Sequence, residues 1–195
     1  MNATDFVRKF FGILNANTIP YPSREDGLPW TEYIGKCPDV VAKSCDCYVA
    51  RRRPASAGRG ESGEHLLIDN MFFPLKDAKR LKSNWYGGDP LVLPTAVVES
   101  ENGYDMDRIA YCLWKTTCLR TPLKVLICYQ RDAEKVRQLR VHLEQVLRKG
   151  LLADSAGGEV LVIIGDDSLP EKTTWEEYFS PFLWNGASLS KIRLQ

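Results

Sequence analysis

The chain has 195 residues, enough for one hydrophobic core with an extension and too few to require a second domain. Its hydrophobic, aromatic and charged fractions of 44%, 10% and 26% are those of an ordinary soluble globular protein. A formal net charge of +1 excludes a global nucleic-acid signal, so any basic surface must be local. The N-terminal residues lack the unbroken apolar stretch of a signal peptide, and no segment approaches the roughly 18 apolar residues of a membrane span. We therefore expect a cytoplasmic protein with no membrane partner.

The first predicted element is an amphipathic helix at residues 5–16, with Thr4 as its N-cap. Its apolar side chains recur at helical spacing, at Val7, Phe10, Phe11 and Leu14. The segment that follows, IPYPSREDGLPW, is punctuated by proline and glycine and is predicted to be a connector.

Three strands are predicted next, at residues 45–52, 64–72 and 92–101. The turn-rich segment RPASAGRGESG separates the first two, which therefore read as a long hairpin. A second loop, PLKDAKRLKSNWYGGDP, leads to the third strand. Because successive strands usually pair with their neighbours, the three are predicted to form an antiparallel meander.

Helices and strands alternate in the following part of the chain. Asp105 is predicted to cap a helix, LKVLICY to form a fourth strand, residues 132–148 a second helix ending before Gly150, and EVLVIIG a fifth strand. This alternation adds a parallel crossover to the meander. The predicted fold class is therefore α/β, a mixed sheet flanked by helices with an α-β-β-β-α-β core in a single domain.

The tail at about residues 166–195 is predicted to be an aromatic-rich C-terminal extension of that domain. Its rings are at Trp175, Tyr178, Phe179, Phe182 and Trp184. Either of two roles fits them, covering the core or forming a dimer contact, and both are favoured over docking of a different protein.

The cysteines do not predict a metal centre. Cys37, Cys45 and Cys47 form a C-x7-C-x-C pattern, which lacks the paired spacing and the nearby histidine of a zinc site. Cys128 falls in the apolar run LKVLICY and Cys112 in a predicted helix, both ordinary places for a buried thiol. Free thiols favour a reducing compartment.

The stretch ESEN, residues 99–102, ends the third strand with two acids on one face. Because a strand alternates its faces, Glu99 and Glu101 point the same way, with their backbone positions about 6.6 Å apart. Unpaired carboxylates at that spacing repel each other, and a divalent cation would resolve the repulsion. Asp69 follows another apolar run, so pairing of the second and third strands would add a third acid. The alternative is that the acids are simply solvated, with Asn102 capping the turn and Gly103 supplying an unusual backbone angle.

These features resemble the PD-(D/E)xK, restriction-endonuclease-like nuclease superfamily. The resemblance lies in Asp69 after a hairpin strand, a strand ending in Glu-x-Glu, a helix and the apolar strand LKVLICY. It covers roughly residues 5–149, mainly as an order of elements with three acids. The chain departs from the family pattern at Glu101, which stands where the family usually has lysine, and at Ile68, which stands in place of proline.

The resemblance implies a metal-dependent phosphodiesterase. Carried over, Asp69 and Glu99 become ligands of Mg²⁺ or Mn²⁺, and Glu101 takes the position of the residue that helps activate water. Some restriction enzymes of this superfamily are similar in having Glu there. Lys115, on the following helix, would supply the missing positive charge, because related nucleases relocate that lysine. Its alternative is an ordinary exposed lysine.

Two basic loops offer a path for phosphates. Arg51, Arg52, Arg53 and Arg59 lie in the hairpin loop, and Lys79 and Arg80 lie in the second loop. Such clusters can grip a phosphate backbone, so nucleic acid, with DNA ahead of RNA, is the predicted partner. The alternative is that both loops are solvated. The resemblance also allows a homodimer, although no feature of the sequence requires one.

Two functions therefore remain open from the sequence. The first is a Mg²⁺- or Mn²⁺-dependent endonuclease that hydrolyses phosphodiester bonds in DNA or RNA. The second is a catalytically silent protein with the same fold that binds nucleic acid or another protein. A glycosidase is disfavoured because its two carboxylates must flank the sugar, whereas Glu99 and Glu101 come from one strand face.

Overall fold

The computed structural model describes residues 1–16, 27–51, 68–77, 92–149, 157–170 and 173–193. The helices are α1 (Ala3–Asn15), α2 (Gly27–Lys43), α3 (Met106–Thr117), α4 (Ala133–Lys149) and the short α5 (Trp175–Tyr178). The strands are β1 (Cys47–Arg51), β2 (Asn70–Pro74), β3 (Ala96–Glu101), β4 (Leu123–Gln130), β5 (Glu159–Asp166), β6 (Phe179–Trp184) and β7 (Leu189–Lys191). One turn of 3-10 helix, Leu75–Asp77, follows β2.

The strands form one open mixed sheet of seven strands in the order of the sequence, β1 to β7. β1, β2 and β3 pair antiparallel, as the predicted meander requires. β3, β4 and β5 pair in parallel, with α3 and α4 as the crossover helices. The predicted fold class, α/β with a mixed sheet flanked by helices, is confirmed.

Helices cover both faces of this sheet. α1, α2 and α5 pack on one face, over a core that includes Phe72, Val98, Val125 and Ile163. α3 and α4 pack on the other face, over Leu126, Cys128, Val162 and Ile164. The alternation of strand side chains explains this division, because neighbouring residues of β4 and β5 point to opposite layers.

The helix α1 begins earlier than predicted. Its N-cap is Asn2, whose side-chain oxygen accepts the backbone N–H of Asp5 at 2.8 Å, and not Thr4. An asparagine side chain satisfies a free N–H of the first turn as well as threonine does, so either residue could cap the same apolar stripe. The stripe itself is buried as predicted.

The helix α2 replaces the end of the predicted connector. Its buried side chains recur at helical spacing, at Trp30, Tyr33, Ile34, Cys37, Val41 and Ala42. Pro29 lies in the first turn, where proline is tolerated, whereas Pro38 lies inside the helix. Packing of the aromatic side chains against the sheet therefore outweighs the local preference for a loop.

The second strand also differs from its prediction. It begins at Asn70 and extends to Pro74, so Asp69 precedes the strand instead of lying within it. The strand therefore lies further along the chain than predicted, because the apolar residues continue through Phe72 and Phe73. Residues 64–67 of the predicted strand, and Gly150 after α4, lie outside the described residues.

The C-terminal tail extends the sheet. β6 pairs antiparallel with β5, and β7 pairs with β6. Tyr178, Phe179 and Phe182 are buried, which fits the predicted role of covering the core. All six cysteines are free thiols. In the described part of the chain, no helix combines the length and the apolar character needed to cross a bilayer.

Candidate functional site

The pairing of β2 with β3 brings two acids together. Asn70 pairs with Val98, and continuing this antiparallel register by one residue sets Asp69 opposite Glu99. The Asp69 N–H donates to Glu99 Oε1 at 2.9 Å, and the Ser100 N–H donates to Asp69 Oδ2 at 2.9 Å. The structure therefore brings Asp69 and Glu99 together where β2 and β3 meet.

A lysine from the next helix completes this group. Lys115 Nζ lies 2.8 Å from Glu99 Oε2, and the lysine side chain is only 16% exposed. The structure thus brings Lys115 to Glu99, with its side chain mostly buried. Lys115 lies in the last turn of α3, at the border of the buried residues of that helix, so its long side chain can cover apolar surface while its ammonium group reaches Glu99.

Glu99 occupies an unfavourable place for a carboxylate. It is 2% exposed. Burial, and next the charge of Asp69, raise the pKa of Glu99 to about 7, against the lowering effects of Lys115 and of the Asp69 N–H. Like charges directly opposite each other on paired strands are destabilising. The carboxyl therefore gives up its charge near neutral pH unless more positive charge reaches it.

Glu101 lies two residues after Glu99 on β3, and each of its carboxylate oxygens has a partner. Its Oε1 accepts the Gly103 N–H at 2.7 Å, and its Oε2 lies 2.7 Å from Arg108 Nε. The expected unusual angle at Gly103 is wrong, because its φ is not positive. Glycine serves close approach here, since an added Cβ would come within 3.0 Å of Glu101 Oε1.

Two residues near the acids were not anticipated from the sequence. Arg108 pairs with Glu101, and the Cys112 thiol lies 3.9 Å from Glu101 Oε2. Arg108, Cys112 and Lys115 stand at i, i+4 and i+7 and form the side of α3 that faces the acids. Two basic residues at that spacing, on the helix directly after an acidic strand end, were the available signal.

Burial raises the pKa of the Cys112 thiol to about 11, and the charge of Glu99 adds to the effect. A thiol with such a pKa is protonated at neutral pH and is a poor nucleophile. The chemistry that this group of residues can support therefore rests on its acids and on Lys115.

The donor set suits a hard divalent cation. The described residues contain no group of three histidine, cysteine or acidic side chains placed to hold a metal. Mg²⁺, however, keeps several waters and binds through one or two carboxylates together with substrate phosphates. Each carboxylate oxygen of Glu99 carries one protein donor and retains a second lone pair. Two carboxylates, those of Asp69 and Glu99, are thus as many protein ligands as Mg²⁺ commonly takes.

The predicted phosphate path cannot be placed beside this group. Arg52, Arg53, Arg59, Lys79 and Arg80 lie outside the described residues. Arg51 ends β1, but its side chain is also outside the described part. The nucleic-acid contacts predicted for these residues therefore stay predictions.

Comparisons with protein-family models, with curated proteins and with solved structures gave no match to this chain. A function for the chain must therefore be inferred from the geometry of the site itself.

Proposed function

We propose that this chain is a Mg²⁺- or Mn²⁺-dependent nuclease with a restriction-endonuclease-like fold, which hydrolyses phosphodiester bonds in DNA or RNA. The observation that carries the proposal is the group formed by Asp69, Glu99 and Lys115. Three separate parts of the chain, the residue before β2, the second half of β3 and the last turn of α3, meet here: the Asp69 backbone N–H donates to Glu99 Oε1, and Lys115 Nζ lies 2.8 Å from Glu99 Oε2. Assembling a buried carboxylate, a second acid and an ammonium group costs stability, which is typical of functional sites.

The order of elements supports the same proposal. After α1 and α2, an antiparallel meander, a crossover helix and a parallel strand follow one another through β4, which is the order that the family resemblance implies apart from the additional helix α2. Lys115 also bears on the main departure from that resemblance. A lysine from α3 reaches Glu99, although the third position of the strand holds Glu101.

The residues have complementary tasks in such a reaction. A divalent cation, when bound, would polarise the phosphate and lower the pKa of a water molecule. Asp69 and Glu99 would hold it. Together with the cation, the Lys115 ammonium would favour the ionised form of Glu99, and it would offset the negative charge that develops on the phosphate.

A second candidate function is a silent nuclease fold that binds nucleic acid without cutting it. Glu101 favours it, because Gly103 and Arg108 already occupy both of its oxygens. Glu101 thereby has a structural role, connecting the end of β3 to the turn at Gly103 and to α3.

The test is a cleavage assay with labelled single-stranded and duplex DNA and RNA, in Mg²⁺, in Mn²⁺ and in EDTA. We expect metal-dependent cleavage by the wild type and its loss in Glu99→Ala and Lys115→Met. Glu134→Ala and Lys135→Met are the matched controls, since both side chains are exposed on α4. Circular dichroism of each variant checks that it is folded.

The outcomes separate the two candidates. Cleavage that requires metal, Glu99 and Lys115 supports the nuclease. Binding of metal and nucleic acid without cleavage by the wild type supports the silent fold. Cleavage that persists unchanged in folded Glu99→Ala contradicts the assignment of the site.

A further inference from the structure

Two aromatic rings stand side by side in solvent on the outer surface of α3. Tyr111 is 55% exposed and Trp114 is 46% exposed. Their ring centroids are 5.7 Å apart and their planes are 30° from parallel. Because the opposite side of α3 is buried against the sheet, neither ring is needed to attach the helix.

The pair is continuous with the candidate site. Tyr111 lies between Arg108 at i−3 and Lys115 at i+4, so it neighbours on the helix surface the two cations that pair with the acids. Trp114 continues the aromatic surface away from Lys115. A nucleic-acid strand with one phosphate at Glu99 would pass over Tyr111 first and Trp114 next.

We propose that Tyr111 and Trp114 form a stacking platform for consecutive unpaired bases, so that the substrate is a single strand or has a single-stranded end. The inference rests on the proposed nuclease function for the direction of the strand. The faces of bases are accessible to aromatic rings only when the bases are unpaired, since in a duplex they stack on one another. Aromatic rings beside cations are the arrangement that proteins use for single-stranded nucleic acid.

The charges around the platform suit a phosphate backbone on one side. The Arg108 side chain is 70% exposed despite its contact with Glu101, so its guanidinium is accessible. Asp107, at i−4 from Tyr111, borders the same surface, and its Oδ1 lies 3.6 Å from His142 Nε2 of α4. The backbone of a bound strand is therefore expected along the Arg108 side, with the bases over the rings.

Binding is measured by fluorescence anisotropy with an oligothymidylate of about 16 nucleotides and with the same strand in a duplex. The buffer contains EDTA so that no strand is cut. We expect tighter binding of the single strand. Tyr111→Ala and Trp114→Ala should each raise Kd about tenfold, since stacking on one ring carries a large share of binding. Tyr111→Phe and Trp114→Phe should retain most of the affinity, because they keep a ring.

Val141→Ala is the control, since Val141 is an exposed apolar residue on the neighbouring α4. Equal binding by the alanine variants, or equal affinity for the duplex, would overturn the platform. So would a wild-type dimer that Tyr111→Ala converts to a monomer, because the rings would then be a contact between copies. Ring-dependent binding by a wild type that cuts nothing would reject the nuclease and retain the platform.

Discussion

At the scale of single residues, the unusual feature is a carboxylate that has been removed from water and set against another acid. Glu99 is buried, and the register sets Asp69 opposite it. Lys115 and one backbone N–H offset part of the cost. Removing one partner of a buried ion pair is more costly than the pair is favourable, because the remaining charge stays buried.

The titration of Glu99 gives a prediction for the metal-free protein. Its folded pKa of about 7 lies above the unfolded value of 4.5, so the folded state binds the proton more tightly. The stability associated with the protonated carboxyl is therefore complete below pH 4.5 and is lost as the pH rises to about 7. In urea unfolding with EDTA, the free energy of unfolding of Glu99→Gln relative to that of the wild type should increase by on the order of 3 kcal/mol as the pH rises across this window.

The exposed Glu134→Gln serves as the control for this measurement, because Arg137 lowers the pKa of Glu134 and moves its titration below the window. A constant difference in unfolding free energy between Glu99→Gln and the wild type, from pH 4.5 to pH 8, would show that Glu99 is not in the environment described.

Lys115 gives a second prediction at this scale. Lys115→Met keeps the apolar stem and leaves the Glu99 carboxylate without its ammonium partner. We expect the free energy of unfolding at pH 8 to fall by about 3 kcal/mol, and by much less at pH 5, where Glu99 is protonated. The exposed Lys135→Met should change stability by less than about 0.5 kcal/mol. An equal loss at both pH values would mean that Lys115 acts through packing alone.

At the scale of elements, α3 is the part of the chain on which the site depends most. It supplies Lys115 and Arg108, and its outer surface carries the two exposed rings. Its start is fixed by the Asp105 N-cap, whose Oδ1 accepts the N–H of Asp107 at 2.9 Å and of Arg108 at 3.2 Å. The position of Lys115 therefore depends on this cap.

Removal of the cap should affect function more than removal of an equivalent cap elsewhere. Asp105→Ala and Asp132→Ala should each lower the free energy of unfolding by about 1 kcal/mol. Asp132 caps the start of α4, where it accepts the N–H of Lys135 at 2.7 Å. We expect only Asp105→Ala to slow metal-dependent cleavage, because α4 supplies none of the three side chains that form the site. Equal slowing by both variants would contradict the dependence of the site on α3.

The strands of this protein agree with the predictions from the sequence better than the first predicted connector does. Period-two alternation is sufficient to place Glu99 on one face, and the hairpin order sets Asp69 beside it. The start of α2 is missed because proline and glycine in the connector, including Pro29, suggest a loop, and residues 31–43 are assigned to no element although their apolar spacing is helical. The contact of Lys115 with Glu99 depends on how α3 sits on the sheet, and helical periodicity alone cannot decide that.

At the scale of the whole molecule, the tail completes the fold. Phe179 is fully buried and contacts rings from three other elements. Its ring centroid lies 5.4 Å from that of Phe10, 6.0 Å from that of Tyr129 and 4.6 Å from that of Tyr178. Residues near the C-terminal end thus hold α1 and β4 together, which a flexible docking tail would not do.

Phe179→Ala tests this integration of the tail. We expect a loss of about 3–5 kcal/mol in unfolding free energy, as for other large aromatic side chains removed from a core. The oligomeric state by analytical ultracentrifugation should be unchanged. A loss below about 1 kcal/mol together with dissociation of a dimer would instead make the tail a contact between copies.

The most direct test of the site as a whole is isothermal titration of the apo protein with Mn²⁺ near pH 7.5. We predict saturable binding to the wild type, and its loss in both Asp69→Asn and Glu99→Gln, with Glu134→Gln binding as the wild type does. That result would show that the two acids, which contact each other where β2 and β3 meet, act as one metal site. Absence of binding to the wild type, or unchanged binding to folded Glu99→Gln, would contradict the metal site and the nuclease built on it.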